Sequence, residues 1–236
     1  MSLILDNLHV DIAGNVVLRG IALSVKPGEV VCLVGRNGAG KSTTFRSIMG
    51  LQRLSAGNVY WNDIHISGRQ THEIAQLGLG YTPEGSDVFS SLTVEDNIAL
   101  PTWTRKTERA EIEKLNEAYS IFPKLKEYLA RYGDHLSGGE RKMVSIARAL
   151  ALDPEILLLD EAFEGLSPAI IPTISEGLKK IMKQGRSMLM AESNFFHLPR
   201  FADRLYVIER GEIVAEGSFS QIENCPATMK LIKGFG

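Results

Sequence analysis

The chain has 236 residues, 44% of them hydrophobic, with 26 Lys and Arg against 28 Asp and Glu. That length and composition suit one large domain, or one domain with a subdomain, around a substantial core. A net charge of −2 offers no footprint for nucleic acid, and the two cysteines, Cys32 and Cys225, give neither a disulfide framework nor metal-ligand spacing.

No stretch approaches the ~18 apolar residues of a membrane span. The opening MSLILDNLHV lacks the basic start and long apolar core of a signal peptide. Leu3, Leu5, Leu8, Val10 and Ile12 nearly alternate, and residues 16–25 continue similarly, so both segments read as strands. Lys26-Pro27-Gly28-Glu29 is a turn, and residues 30–34 form an apolar strand in which Cys32 reads as a small apolar filler.

That strand leads into GRNGAGKST, residues 35–43, which fits G-x-x-x-x-G-K-[ST] through Gly35, Gly40, Lys41 and Ser42. A plausible helix over 43–49 follows. Glycines let backbone N–H groups curl around phosphate oxygens, and the new helix turns its positive end to the same anion. Gly35, Arg36, Asn37, Gly38, Ala39, Gly40, Lys41, Ser42 and Thr43 are therefore candidate nucleotide contacts. Lys41 is expected on the β/γ-phosphates and Ser42 on Mg²⁺.

Residues 57–63 read as a strand and turn, 74–77 as a helix end, and 79–82 as another strand. After residue 86 helix formers dominate, over 93–100 and 108–129. Ala110, Ile112, Leu115, Ala118, Tyr119 and Phe122 make an apolar stripe expected in the core, and the charges from Arg105 to Lys114 read as a solvated face. Helix candidates at 141–152 and 172–183 then alternate with strands at 156–159 and 187–191, and short elements at 201–207 and 212–215 close the sheet. This alternation around a phosphate loop predicts an α/β sheet with the nucleotide at its edge.

Two further motifs narrow the class. Leu136, Ser137, Gly138, Gly139 and Glu140 place a hydroxyl and exposed N–H groups at a second helix N-terminus. One triphosphate does not need two such cradles in one domain, so the economical arrangement is a dimer in which each signature turn faces the other chain's phosphate loop. Residues 156–161 are a buried strand ending in two carboxylates, Asp160 and Glu161. With these three motifs the chain resembles the ATP-binding-cassette (ABC) family over essentially its whole length. The resemblance implies a P-loop NTPase of the ABC type: an α/β, RecA-like core, a β-rich N-terminal part and a helical subdomain inserted over roughly 87–153, all in one domain spanning 1–236.

It also implies roles. Asp160 resembles the residue that holds Mg²⁺, and Glu161 the general base for the attacking water. Glu84 stands where the family has its Q-loop glutamine and still offers oxygen to Mg²⁺ or water. Residues 89–94 resemble the surface that docks a membrane subunit, although Phe89 and Leu92 on their own read as ordinary core. Pro83-Glu84-Gly85, Phe122-Pro123-Lys124-Leu125 and Gly165-Leu166-Ser167-Pro168 resemble one subgroup, the ATPases of branched-chain amino-acid-type importers, in particular the shorter of their two ATPases. The expected partners are permease subunits, a second ABC ATPase or a second copy, and an extracytoplasmic solute-binding protein, with the chain peripheral on the cytoplasmic face of the membrane.

Two positions depart from the family pattern. The switch position, usually His, falls at Ser193, whose hydroxyl is short and cannot carry charge; slow turnover is expected there, or most of the turnover in the partner's site. His197 reads as an exposed bystander. Near the adenine, where relatives often have an aromatic ring, Ile12 with Val17 is expected, at the cost of a stacking contribution of roughly 0.5–1.5 kcal/mol. The competing readings are an exporter or lipid-extraction ATPase, a weakly hydrolysing regulatory cassette, and a soluble cassette acting on ribosomes or DNA.

Overall fold

The computed structural model describes residues 2–105 and 107–233. The chain begins with β1 (Leu3–Ile12) and β2 (Asn15–Val25), an antiparallel pair. The apolar spacing of β1 jumps from Leu5 to Leu8, and the register shifts there, with Asn7 at φ 51. A bulge absorbs the extra residue and keeps Leu3, Leu5, Leu8 and Val10 all on the buried face. After β3 (Val30–Val34) and α1 (Lys41–Ile48), β4 (Ala56–Trp61) and β5 (Ile64–His65) complete a four-stranded sheet of order β2-β1-β4-β5.

Helix α2 (Thr71–Gln76) and β6 (Leu79–Thr82) lead into a helical stretch of α3 (Val94–Ala99), α4 (Glu111–Ile121) and α5 (Gly138–Ala151). The chain then alternates through β7 (Ile156–Asp160), α6 (Ile171–Lys183), β8 (Ser187–Glu192), β9 (Arg204–Glu209) and β10 (Glu212–Gly217). The short helices α7 (Phe219–Glu223) and α8 (Pro226–Lys233) follow, and the sequence reading missed both. Their cues are local: Ser218 and Gln221 make a capping box, and Pro226 opens α8.

The second sheet has the order β10-β9-β3-β8-β7-β6, parallel except for the β10 edge. Every residue of β3, β7 and β8 is buried, as expected of a sheet covered on both faces. Alternation sorts them into two cores. Val31, Leu33, Ile156, Leu158 and Leu189 pack with β1, Phe45 and Ile48 on one side. Val30, Cys32, Val34, Leu157, Leu159 and Met190 pack with Met143, Ile174 and Leu178 on the other. Each such side chain contributes roughly 1.5–3 kcal/mol on burial.

The 108–129 segment corrects two expectations. The helix ends at Ile121, because Pro123 cannot follow a helical residue at Phe122, and 123–128 tightens into a 3₁₀ turn. Ala118, Tyr119, Ile121 and Phe122 reach the core, but Ile112 is 63% exposed, since only the C-terminal half of α4 is covered. The charged run from Arg105 to Lys114 is a solvated face only in part: Glu108, Glu111 and Glu113 are exposed, and Lys106 lies outside the described residues. Lys114 is buried, and Arg109 pairs with Glu117 at 2.6 Å and Asp153 at 2.8 Å, both of which Arg186 also binds. Counter-charges from distant sequence draw the segment inward.

Candidate nucleotide site

The loop between β3 and α1 is shaped by two glycines. A Cβ on Gly35 would sit 2.2 Å from the Ile208 carbonyl oxygen of β9, so only glycine lets the loop leave the sheet there. Gly40 has φ 111 and caps α1, where Thr44 returns both its N–H and its hydroxyl to the Gly40 carbonyl at 2.9 Å. The loop borders a cavity of 330 Å³ lined by Val17, Asn37, Gly38, Gly40, Lys41, Ser42, Thr43, Glu84 and Glu161. Gly35, Arg36 and Ala39 shape the loop without lining this cavity. Ile12 stays exposed at the end of β1 and does not line it either, so of the two expected adenine contacts only Val17 does.

Lys41 is buried and folds across the loop. Its ammonium donates to the Gly35 carbonyl at 2.8 Å and the Arg36 carbonyl at 3.2 Å, and pairs with Glu161 Oε1 at 3.0 Å. The other oxygen of Glu161, Oε2, accepts from the Ser193 N–H at 3.0 Å and the Ser193 hydroxyl at 3.2 Å. Glu161 therefore sits between Lys41 of the phosphate loop and Ser193. Its backbone is left-handed, φ 50, a conformation that costs a non-glycine residue roughly 1–3 kcal/mol. His197 hydrogen-bonds Asn194 and packs edge-on against Phe163, and it is only partly buried. Since the Ser193 N–H would remain, S193A is expected to slow hydrolysis only about tenfold, one hydrogen bond to a charged group contributing about 1.5 kcal/mol. Steady-state ATPase assays test this; a variant at the wild-type rate would remove the hydroxyl from the mechanism.

Asp160 ends β7 with its carboxylate buried, accepting from the Ser42 hydroxyl at 3.2 Å and the Tyr81 hydroxyl at 3.4 Å. Burial, with the neighbouring Glu161 and Glu84 charges and against the Ser42 hydrogen bond, raises its pKa to about 6. The unfolded value is about 3.9, so the folded chain holds this proton more tightly. Its contribution to stability is present below about pH 4 and is lost as pH rises through 6. D160N removes that loss, and the nucleotide-free variant should be about 2–3 kcal/mol more stable at pH 8 and little changed at pH 4. Urea denaturation at the two pH values reads the difference; equal effects at both would refute it.

Glu84, Asp160 and Glu161 bring three carboxylates to one end of the site, where Lys41 is paired. Hard oxygen donors with surplus negative charge fit a Mg²⁺ ion. Among the described residues no three acidic, His or Cys side chains converge enough to hold an ion unaided, so substrate phosphate oxygens would complete the shell.

The signature residues lie elsewhere. Ser137 caps α5, accepting from the Glu140 N–H at 3.3 Å, while Glu140 accepts from the Ser137 N–H at 2.8 Å. Gly138 and Gly139 form the first turn, and Leu136 is buried behind it. None of the five lines the cavity of its own chain.

Two buried ionic groups beside the site escaped the sequence reading. Lys142 donates to the Glu84 and Glu161 carbonyls at 2.9 and 3.1 Å. Glu192, at the end of β8, accepts from the Phe163 N–H at 3.2 Å, and burial, then the Glu161 charge, pushes its pKa far up. Their only sequence signal is position: a lysine on the apolar face of α5 and an acid closing the apolar run Met188–Ala191.

The family model for the ABC transporter ATPase domain matches residues 18–164. The chain belongs to the ABC transporter family. This cassette is an ATP-binding, ATP-hydrolysing enzyme of the ABC type. It is 36% identical over 197 residues, 84% of each chain, to the high-affinity branched-chain amino acid transport ATP-binding protein BraG of Pseudomonas aeruginosa. It is 34% identical over 218 residues, 92% of this chain and 90% of the relative, to the lipopolysaccharide export system ATP-binding protein LptB of Escherichia coli K12. Among solved structures, the ADP conformation of the MJ1267 cassette covers all of both chains at 25% identity with a TM-score of 0.82. A nucleotide-free ABC cassette matches at 25% identity and 0.84, again over all of both chains.

Proposed function

We propose that the cassette energises a membrane importer for branched-chain or other hydrophobic amino acids, or for related small solutes such as urea or amides. The observation that carries this is the subgroup pattern at 83–85, 122–125 and 165–168, together with the similarity to BraG. The similarity to LptB favours a second reading, an exporter or lipid-extraction ATPase.

In either system the roles are the same. The loop from Gly35 to Thr43 wraps the phosphates, and Lys41 moves from Glu161 to the β/γ-phosphates. Ser42, Asp160 and Glu84 would hold Mg²⁺, which would neutralise phosphate charge. Glu161 accepts the proton of the attacking water as its oxygen bonds to the γ-phosphorus and the β–γ bridge breaks. Ser193 orients that carboxylate. Residues 136–140 complete a partner's site across a dimer, with a second, different ATPase or a second copy.

Residues 1–236 act as one ATPase domain, with the helical insertion at 87–153 carrying the signature turn. A groove of 550 Å³ lined by Met49, Leu79, Tyr81, Phe89, Leu100 and Leu152 faces outward, with Phe89 52% exposed. This groove suits a permease segment at the cytoplasmic face of the membrane; no helix among the described residues is long and apolar enough to cross it. A solute-binding protein would deliver the solute. Purification from the native host in mild detergent, followed by mass spectrometry, tests the reading. Two permeases and a second cassette support it; lipopolysaccharide-transport partners favour export, and ribosomal partners or none refute both.

A further inference from the structure

Lys142 lies on α5 beside Met143, among core side chains, and only 3% of it is exposed. An ammonium at that depth has given up its water and must be held by fixed acceptors. The two it uses belong to different segments. The Glu84 carbonyl, at 2.9 Å, opens the loop that runs to Phe89 and the outward groove. The Glu161 carbonyl, at 3.1 Å, follows β7. The helix that carries Lys142 begins at the signature turn. One cation therefore joins the signature helix, the groove loop and the backbone of the site carboxylate.

The backbone of Glu161 needs such a hold. It stands in the left-handed region, and its N–H is fixed by a bond to the Ala191 carbonyl at 2.9 Å. On the carbonyl side, the Glu164 N–H offers only a long bond of 3.4 Å, so the Lys142 ammonium is the close partner. The charges of Glu192, Asp160, Glu84 and Glu161 all act to keep Lys142 protonated against its burial. Lys142 does not line the nucleotide cavity, so it can govern Glu161 without touching ATP.

We propose that Lys142 is a positioning residue for hydrolysis. Its ammonium clamps the Glu161 backbone to the Glu84 loop and to α5, so that a shift of the signature helix or of the groove loop re-aims the base. The proposal rests on the reading of Glu161 as that base, and the test separates the two.

The experiment measures kcat, KM and equilibrium ATP binding on the full chain for wild type, K142M, E192Q, K142M/E192Q and E161Q. K142M is expected to lower kcat about 10–100-fold while KM and ATP affinity stay within about threefold, the signature of a misplaced base rather than a damaged cradle. K142M also removes a cation whose charge acts on the buried Glu192, so K142M/E192Q serves as a second variant in which that side chain is neutral at every pH. It should melt near the wild-type temperature and keep the kcat defect measured against E192Q. A folded K142M or K142M/E192Q with undiminished kcat overturns the proposal, as does a KM that rises in step with the loss of kcat. If E161Q is inactive while K142M is fully active, the clamp alone is wrong; if E161Q hydrolyses normally, the assignment of the base is wrong.

Discussion

E161Q is expected to lower kcat by about 10²–10⁴-fold, the usual weight of a general base in a proton transfer. Nucleotide binding should survive and can tighten. In the free chain Glu161 holds the Lys41 ammonium at 3.0 Å, so ATP must draw that cation away from a carboxylate. Glutamine keeps the shape and the acceptor for the Ser193 N–H but releases the charge. The check is single-turnover hydrolysis beside equilibrium ATP binding. A fall in affinity matching the fall in rate would place Glu161 in binding, not in chemistry.

K41M is expected to act on both binding and the fold. The phosphates lose their cation, and truncating one member of a desolvated charge pair costs about 2–5 kcal/mol, or roughly 30-fold to several-thousand-fold in ATP affinity. The same change leaves Glu161 buried without its counter-charge, which destabilises a fold by about 3–5 kcal/mol. K41M/E161Q should recover most of the stability and none of the hydrolysis, because the stranded charge is gone while the chemistry stays lost. Urea denaturation and calorimetric binding across the four-member cycle measure the coupling directly. Additive stability effects would show that the 3.0 Å pair contributes nothing.

The phosphate loop, the Asp160-Glu161 strand end and the capped signature turn were legible because each is written in contiguous residues whose spacing sets its geometry. The strands were legible for the same reason, although the bulge between Leu5 and Leu8 was seen only in the assembled register. What failed depended on contacts distant in sequence. Ile112 fitted a helical stripe, but periodicity does not say how much of a helix its neighbours cover. Arg109 looked solvated because Asp153 and Arg186 are far along the chain. Lys142 and Glu192 were invisible as site residues, since α5, β7 and β8 meet only when the sheet is assembled. Ile12, placed at the adenine by analogy of position, lies exposed at the end of β1, where only a bound nucleotide can show whether it packs on the base.

The strand order of the parallel sheet also governs how this chain comes into being. β3, which launches the phosphate loop, hydrogen-bonds β8 and β9, partners more than 150 residues later. During synthesis the antiparallel sheet of β1, β2 and β4 can close as soon as residue 61 has emerged, whereas β3 must wait for β8 at residues 187–192 and for β9 at 204–209. Such late, non-local pairing is slow and leaves apolar edges open meanwhile. A nascent chain cut short before β8 would thus carry a complete GRNGAGKST with no bed to lie in. Premature termination late in the message therefore yields aggregation-prone material rather than a crippled ATPase.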